Sequence, residues 1–370
     1  MNSEELLHLK VRLLTEGATL PAGYSRGRKG GAGPIGGRYF LLPNGRSCGV
    51  PIRDGERAKQ FHSSTIEPTG VQGEWIYDSK FTLVEVQPPS FYGSSTSDGI
   101  EFSKIALMHG SDCLATTVLQ TCKYWSSGDQ CKFCTIPTSL LSGKTIKEKT
   151  PEQIAEVVKT AELGGSVKHI LLTTGTDEGE DMGINRLIAI SRAIRRVSSL
   201  PIAVQFEPPD DFSIFQELAN AGVNAVGIHI ESVDDRIRQE ICPGKYKRSV
   251  TGLYDEAWDS ALQYFGNGNV TTFILHGLGE DLSRTLEFCD DVAGRGVLPI
   301  VTPFRPAPGS QLAEFLPSYV GNLEESTEFY KQLGLILHRH GLNPKSTSGG
   351  CSRCGGCTPI QEAYDWAASR

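Results

Sequence analysis

Six of the ten cysteines in this 370-residue chain fall into two tight groups, Cys122-KYWSSGDQ-Cys131-KF-Cys134 and Cys351-SR-Cys354-GG-Cys357. Thiols at such spacing are metal or cluster ligands, a redox pair or nucleophiles. A tetrahedral zinc site would need a fourth ligand beyond Cys122, Cys131 and Cys134, and a thioredoxin-like pair would use Cys131 and Cys134 alone. An iron–sulfur cluster holding three irons by thiolate and leaving the fourth open to substrate uses all three. The second group has the spacing of a ferredoxin run cut short before its fourth cysteine, and Gly349, Gly350, Gly355 and Gly356 let the backbone wrap a bound group closely. A second [4Fe-4S] cluster on Cys351, Cys354 and Cys357 is expected, its fourth ligand open among Cys48, Ser352 and substrate. A structural zinc ion or a tail knot without a catalytic part are the alternatives. Cys113, Cys242 and Cys289 read as small buried apolar residues.

The composition is that of a globular chain, 39% hydrophobic and 21% charged, which excludes disorder as the overall state. A chain of this length buries roughly 75% of its unfolded surface and needs no disulfides to hold a core. A net charge of −7 argues against nucleic acid or an anionic membrane as the main partner. The opening MNSEELLHLKVRLL is interrupted by Glu4, Glu5 and Lys10 where a signal peptide would be apolar, and no run approaches a membrane span. A cytoplasmic protein is expected, acting on a small molecule or another protein, in a reducing compartment where cysteines serve as ligands.

The elements that must position these thiols change character near residue 105. Residues 1–105 are rich in Gly, Pro and Ser and read as an N-terminal extension of irregular and β structure with one small sheet. Asn44-Gly45 sits between apolar runs as a hairpin turn, and FTLVEV at 81–86 alternates as a strand. In RGRKGGAGPIGGR at 26–38, the basic residues Arg26, Arg28, Lys29 and Arg38 could hold an anion, or the segment is simply solvated. Residues 106–320 alternate apolar strands with amphipathic helices, the pattern of a parallel α/β sheet. Strands are expected at 113–120, 169–174, 202–207, 225–231, 270–277 and 297–304. Thr150-Pro151-Glu152-Gln153 forms a capping box ahead of the stripe Ile154, Val157, Val158 and Ala161. Leu253, Ala257, Trp258, Ala261, Leu262 and Phe265 form a second stripe, and Leu282, Leu286, Cys289 and Val292 a third. Six such units would curl into a partial TIM-like (β/α)6 barrel with its site at the C-terminal strand ends, a doubly wound sheet being the alternative. Residues 321–370 form a C-terminal helix and a cysteine-rich tail preceded by the flexible run PKSTSGG.

The three-cysteine loop after the first strand resembles that of the radical S-adenosylmethionine (radical SAM) enzymes, over roughly residues 105–310. The family's usual loop has three residues between its first two cysteines and this one has eight. The usual spacing would fall on Ser127, so Cys122 is taken as the first ligand. The resemblance implies a [4Fe-4S] cluster on Cys122, Cys131 and Cys134 that binds S-adenosyl-L-methionine, with Phe133 against the adenine. LLTTGT at 171–176, with Thr173, Thr174 and Gly175, resembles the segment that holds the methionine amino group. Glu231, in GIHIES, looks like the polar residue aimed at the cofactor. Gly277 and Glu280 of FILHGLGE match the strand-five motif, in which Phe273 replaces a glycine. FRPAPGS at 304–310 resembles the biotin-synthase branch, and its Arg305 could contact a carboxylate or the cofactor. Gln205, Glu207 and His229, at the ends of apolar strands, join this set of cofactor contacts. For His229 and His276 a core histidine satisfied by backbone is the alternative. An unpaired carboxylate at Glu207 or Glu231 would be costly, so each is expected to have a partner.

What the resemblance implies is reductive cleavage of S-adenosylmethionine to methionine and a 5′-deoxyadenosyl radical, which abstracts hydrogen from a substrate. The motifs are similar to a biotin-synthase-like subfamily encoded beside nitrilases and to two-component lipoyl synthases. An auxiliary cluster in that setting suggests sulfur insertion, making the enzyme a sulfurtransferase that forms C–S bonds. A second expectation keeps the tail cluster intact and assigns rearrangement, cyclisation or dehydrogenation of a small nitrogenous metabolite. A third is a non-enzymatic zinc or iron–sulfur protein. The implied partners are a small-molecule substrate or an acylated carrier protein, and an electron donor such as ferredoxin or flavodoxin.

Overall fold

Residues 1–25, 27, 37–249 and 252–370 are described by the structure, a computed structural model. Arg26, Arg28 and Lys29 of the basic segment lie outside them, and Arg38 pairs with Glu85 at 2.9 Å.

The first sheet contains β1 (Ala18–Thr19), β2 (Gly37–Leu41), β3 (Ser47–Pro51), β4 (Ser64–Pro68), β5 (Glu74–Tyr77) and β6 (Phe81–Glu85), in the order β1-β4-β5-β6-β2-β3. The Asn44-Gly45 turn closes the β2–β3 hairpin, with Leu41 opposite Ser47. Gly45 has φ +78° there, a value that disfavours a side chain. The helix Ser3–Thr15 serves two cores. Leu9, Leu13 and Leu14 pack under the first sheet, while Leu7 and Val11 enter the larger core of the second.

The second sheet begins with β7 (Leu107–His109), antiparallel to β8 (Cys113–Thr117). The parallel strands β9 (His169–Thr173), β10 (Ile202–Phe206), β11 (Ala225–Ile228), β12 (Val270–His276) and β13 (Leu298–Pro303) then follow in sequence order. A doubly wound sheet would reverse its strand order partway. This one does not, and it curls into a half barrel. All six sequence-predicted strands are present, as are the Thr150 capping box and the helices Pro151–Leu163, Leu253–Phe265 and Leu282–Arg295.

Strand alternation separates the barrel's two faces. Leu114, Ile170, Leu172, Ile202, Val204, Val226 and Ile228 face outward into the helix-covered core. Several inward residues are small, and the register aligns Ala115, Leu171, Ala203 and Ala225 as one layer across four strands. One layer above lie Thr117, Thr173, Gln205 and Gly227.

The tail fills the space this leaves. The run PKSTSGG, expected to be flexible, is tied down. Thr347 Oγ1 donates to the Gly268 carbonyl, the Ser348 amide to Asn269 and the Gly350 amide to His169 Nδ1. Gly350 lies against Ala203, with an added Cβ 3.2 Å from the alanine Cβ. On either side the helices Leu323–Arg339 and Ile360–Ala368 anchor the tail, packed so closely that a Cβ on Gly334 would lie 2.2 Å from the Ala363 carbonyl oxygen. Lys10 and Glu362 meet there at 2.8 Å, 0% and 1% exposed, with Arg46 3.7 Å from the same carboxylate. Breaking a buried pair leaves an uncompensated charge. Lys10→Met is expected to cost about 3 kcal/mol in chemical denaturation, and adding Glu362→Leu to recover most of that loss.

Candidate active site

The loop carrying Cys122, Cys131 and Cys134 leaves the C-terminal end of β8, where barrels place their reacting groups. Cys122 precedes the short helix Lys123–Ser127, and Ser127 turns its hydroxyl back to the Tyr124 carbonyl. The strand end that launches the loop is stapled from several sides. Lys149, 4% exposed, donates to the Thr117 carbonyl at 2.6 Å, and burial lowers its pKa to about 7. The Gly175 amide donates to the Leu119 carbonyl and the Lys123 amide to that of Thr176. A Cβ on Gly175 would sit 1.8 Å from the Thr121 carbonyl oxygen. The LLTTGT turn therefore runs against the start of the cysteine loop, and glycine is required for that approach. Thr173 Oγ1 lies 2.9 Å from Thr117 Oγ1, and Thr174 Oγ1 donates to the Gly175 carbonyl.

Buried carboxylates at the strand ends hold the loop from the other side. Glu207 accepts from the Tyr124 hydroxyl at 2.7 Å and from Thr176 Oγ1 at 3.0 Å, with Arg248 at 3.6 Å. Glu207, expected as a cofactor contact with a partner of its own, ties the helix after Cys122 to the barrel. Glu231 pairs with Lys245 at 2.7 Å and has φ +68°, a strained value for a non-glycine residue.

The three thiols are carried on one half-buried loop. Cys134 has Cys131 and Cys122 as charged neighbours, and burial pushes its thiol up to about 11. A hydrogen bond from Cys242, with Lys245 nearby, holds Cys131 below its ordinary value. Phe133 packs with Cys242, Leu275, Leu278 and Leu312 in an apolar group beside Cys131. Among the described residues no three His, Cys, Asp or Glu side chains close about one point as a single ion requires. A cubane takes each thiolate on a different iron, and this donor set of three thiols on one loop fits it.

Several expected cofactor contacts have other partners. The Gln205 side-chain amide donates to Cys351 Sγ at 3.3 Å, which assigns it to the tail cysteines. Glu280 turns into its own loop, accepting from the Gly277 and Leu278 amides, both at 2.7 Å, with His276 Nδ1 at 2.8 Å. Gly277 has φ +108°, and a Cβ there would strike the Tyr319 ring at 2.5 Å. His276 also meets Ser326 and stacks on Phe329, a core histidine satisfied by side chains. Arg305 donates to the Gly49 carbonyl and faces Cys357, away from the first loop. His229 differs. Its Nδ1 accepts from the Phe273 amide at 3.1 Å and its ring stacks on Phe273, so the proton sits on Nε2. That nitrogen is buried without a hydrogen-bond partner among the described residues, and burial lowers the ring's pKa to about 3.

The second trio opens into the same barrel. Cys351, Cys354 and Cys357 line a cavity with Cys113, Leu171 and Phe273. Cys113 and Cys242 are buried, as expected of small apolar residues, but each also presents its thiol to a member of a trio, Cys113 to Cys354 and Cys242 to Cys131. Sequence reasoning missed these contacts and Lys149. The inward position of Cys113, in phase with Ala115, was the available signal.

Residues 128–292 match the Radical SAM superfamily model, a segment that includes Cys131 and Cys134 and begins after Cys122. The chain is 25% identical over 348 residues to the bacteriochlorophyllide c C-7(1)-hydroxylase of Chlorobaculum limnaeum, covering 88% of this chain and 84% of that protein. It is 28% identical over 227 residues to the lipoyl synthase of Chlamydia felis, covering 59% of this chain and 68% of the relative. Methylornithine synthase superposes with a TM-score of 0.47 at 20% identity, spanning 62% of each chain, a little under two thirds. Among the described residues no helix is long and apolar enough to cross a membrane.

Tyr124→Phe removes a hydrogen bond to a buried carboxylate and is expected to cost about 1.5–3 kcal/mol in urea unfolding and to lower iron retention by the first loop. Lys149 binds fewer protons folded than unfolded between its folded pKa of about 7 and the ordinary 10.5. Stability from this group therefore rises with pH across that window. Denaturation of wild type and Lys149→Met between pH 7 and 10 should show the rise in wild type and its loss in the variant.

Proposed function

We propose, from the premise that this chain is a radical SAM enzyme, that it inserts sulfur at an unactivated C–H position of a small molecule or of an acyl group on a carrier protein. The observation that carries this reading is that the second cysteine trio lines the barrel's interior beside Leu171 and Phe273. A cluster serving electron entry alone would gain nothing from being enclosed there. One held inside the barrel meets whatever the barrel binds.

Bound at Cys122, Cys131 and Cys134, a [4Fe-4S] cluster with an open iron supplies the electron and the coordination site for reductive cleavage of S-adenosylmethionine. The chain's residues supply position and dryness. Phe133 and its apolar neighbours form a wall for the adenine. The Lys245–Glu231 pair keeps the rim neutral while closing it to water. His229 offers one Nε2 hydrogen to an acceptor on the substrate, and its low pKa keeps the ring uncharged. Phe273 and Leu171 line the cavity beside the tail cysteines. Electrons come from a small carrier such as ferredoxin or flavodoxin.

A second reading draws on the hydroxylase of Chlorobaculum limnaeum, whose match spans more of this chain than that of the lipoyl synthase. Under it the tail cluster survives turnover, and the product is oxidised, rearranged or cyclised without gaining sulfur. Reconstitution with heavy-isotope sulfide separates the two, since sulfur insertion puts label into product and consumes the tail cluster. Replacing Cys122, Cys131 and Cys134 by alanine should abolish 5′-deoxyadenosine formation. Replacing Cys351, Cys354 and Cys357 should leave uncoupled cleavage and abolish sulfur transfer. Unlabelled product with an intact tail cluster would favour the second reading.

A further inference from the structure

The tail supplies three thiols, and the barrel wall supplies a fourth. Cys113 opens β8, and its side chain is fully buried on the inward face with Ala115, Leu171, Ala203 and Ala225. Cys351 and Cys354 of the tail pack against this inward group. All four sulfur-bearing side chains line one cavity. The small side chains beside Cys113 keep this part of the lumen clear.

Cys48 and Ser352, the ligands considered from the sequence, are not among the side chains that line this cavity. Cys48 packs in the core under the first sheet with Leu9, Leu13 and Phe40. The next residue of β3, Gly49, is on the opposite pleat face, and it is there that a Cβ would meet the tail, 3.2 Å from the Gly356 carbonyl oxygen. Ser352 follows Cys351 directly in the helix Cys351–Cys354, whose first and last residues share a face that the second does not. The Cys242 contact at the first loop is of another kind. Cys242 meets Cys131, Glu231 and Lys245 within a group formed with Ile237 and Ile241, whereas Cys134 is the thiol that faces both other members of its trio.

We infer that Cys113 is the fourth ligand of a cluster held by Cys351, Cys354 and Cys357, so that this cluster is bound by four thiolates and joins the tail to the barrel wall. The inference rests on the reading that the tail holds a [4Fe-4S] cluster. Ligation replaces the Cys113 S–H bond by an S–Fe bond and releases the proton to water. With all four irons held by protein, substrate meets this cluster at a bridging sulfide and not at a vacant iron. The two clusters thereby divide their chemistry, with one open iron at the barrel mouth and none inside.

The test uses the full chain with Cys122, Cys131 and Cys134 replaced by alanine, reconstituted anaerobically, so that the tail is the remaining cluster site. This parent should hold about four irons per chain, with a reduced-state EPR signal that cyanide does not alter. Adding Cys113→Ala should lower iron toward about three per chain or make the signal cyanide-sensitive. Cys113→Ser, which keeps an oxygen donor, should retain iron with a shifted signal. An alanine variant with the parent's iron and a signal still indifferent to cyanide overturns the inference and leaves the tail-cluster reading standing. A parent signal that cyanide shifts overturns it as well. A parent without iron overturns both. Should the alanine variant fail to fold, the serine variant decides, an unshifted signal being the result against.

Discussion

A half barrel whose inward positions include Ala115, Ala203, Ala225 and Gly227 cannot fill its own interior. Barrels of this kind ordinarily pack their centres with bulky branched residues, because an unfilled core forfeits dispersion contacts and apolar burial. Here the missing volume comes from the far end of the chain, where Gly349, Gly350 and the three tail cysteines enter the lumen. Glycine is suited to that entry because a backbone without Cβ can lie directly on Ala203. The terminal helices are clamps for this insertion. Their close packing at Gly334 and the Lys10–Glu362 pair fix the two ends of a segment that is also hydrogen-bonded to loops and to the strands it lies against.

The upper rim follows a different rule. Carboxylates at Glu207, Glu231 and Glu280 leave water, and each is matched by a hydroxyl, a cation or a pair of amides. These partners lie on the segments that must be held still. Tyr124 follows Cys122 by two residues, and Lys245 follows Cys242 by three. Compensating the buried charge and fixing the cysteine loop are thus one set of contacts. The backbone strain at Glu231, on the order of 1–3 kcal/mol for such a conformation, is borne where the carboxylate must meet Lys245.

Much of the scaffold was legible in advance because its causes are local. Apolar runs bounded by turn residues marked the six strands, and Thr150 with Gln153 marked a helix start that the structure reproduces atom for atom. The Asn44-Gly45 hairpin needed no information from elsewhere in the chain. Assigning the polar residues was harder. Glu280 and Arg305 were read as cofactor contacts from resemblance to family motifs, and Gln205 with them; in the structure Gln205 turns to Cys351, Glu280 to its own amides and Arg305 to Gly49. A strand-end position says that a side chain is near a site. Which way it is satisfied depends on donors that arrive from other parts of the chain.

The amino-acid order alone determined the alternation of strand and helix and the two clusters of thiols, since periodicity and spacing are properties of neighbours along the chain. Only the tertiary structure decided that the tail cysteines enter the barrel and that Cys113, more than two hundred residues earlier in the chain, lies against Cys354. The reason is physical. Which distant segment fills a void is settled by the shape of that void, and the void exists only once the sheet has curled.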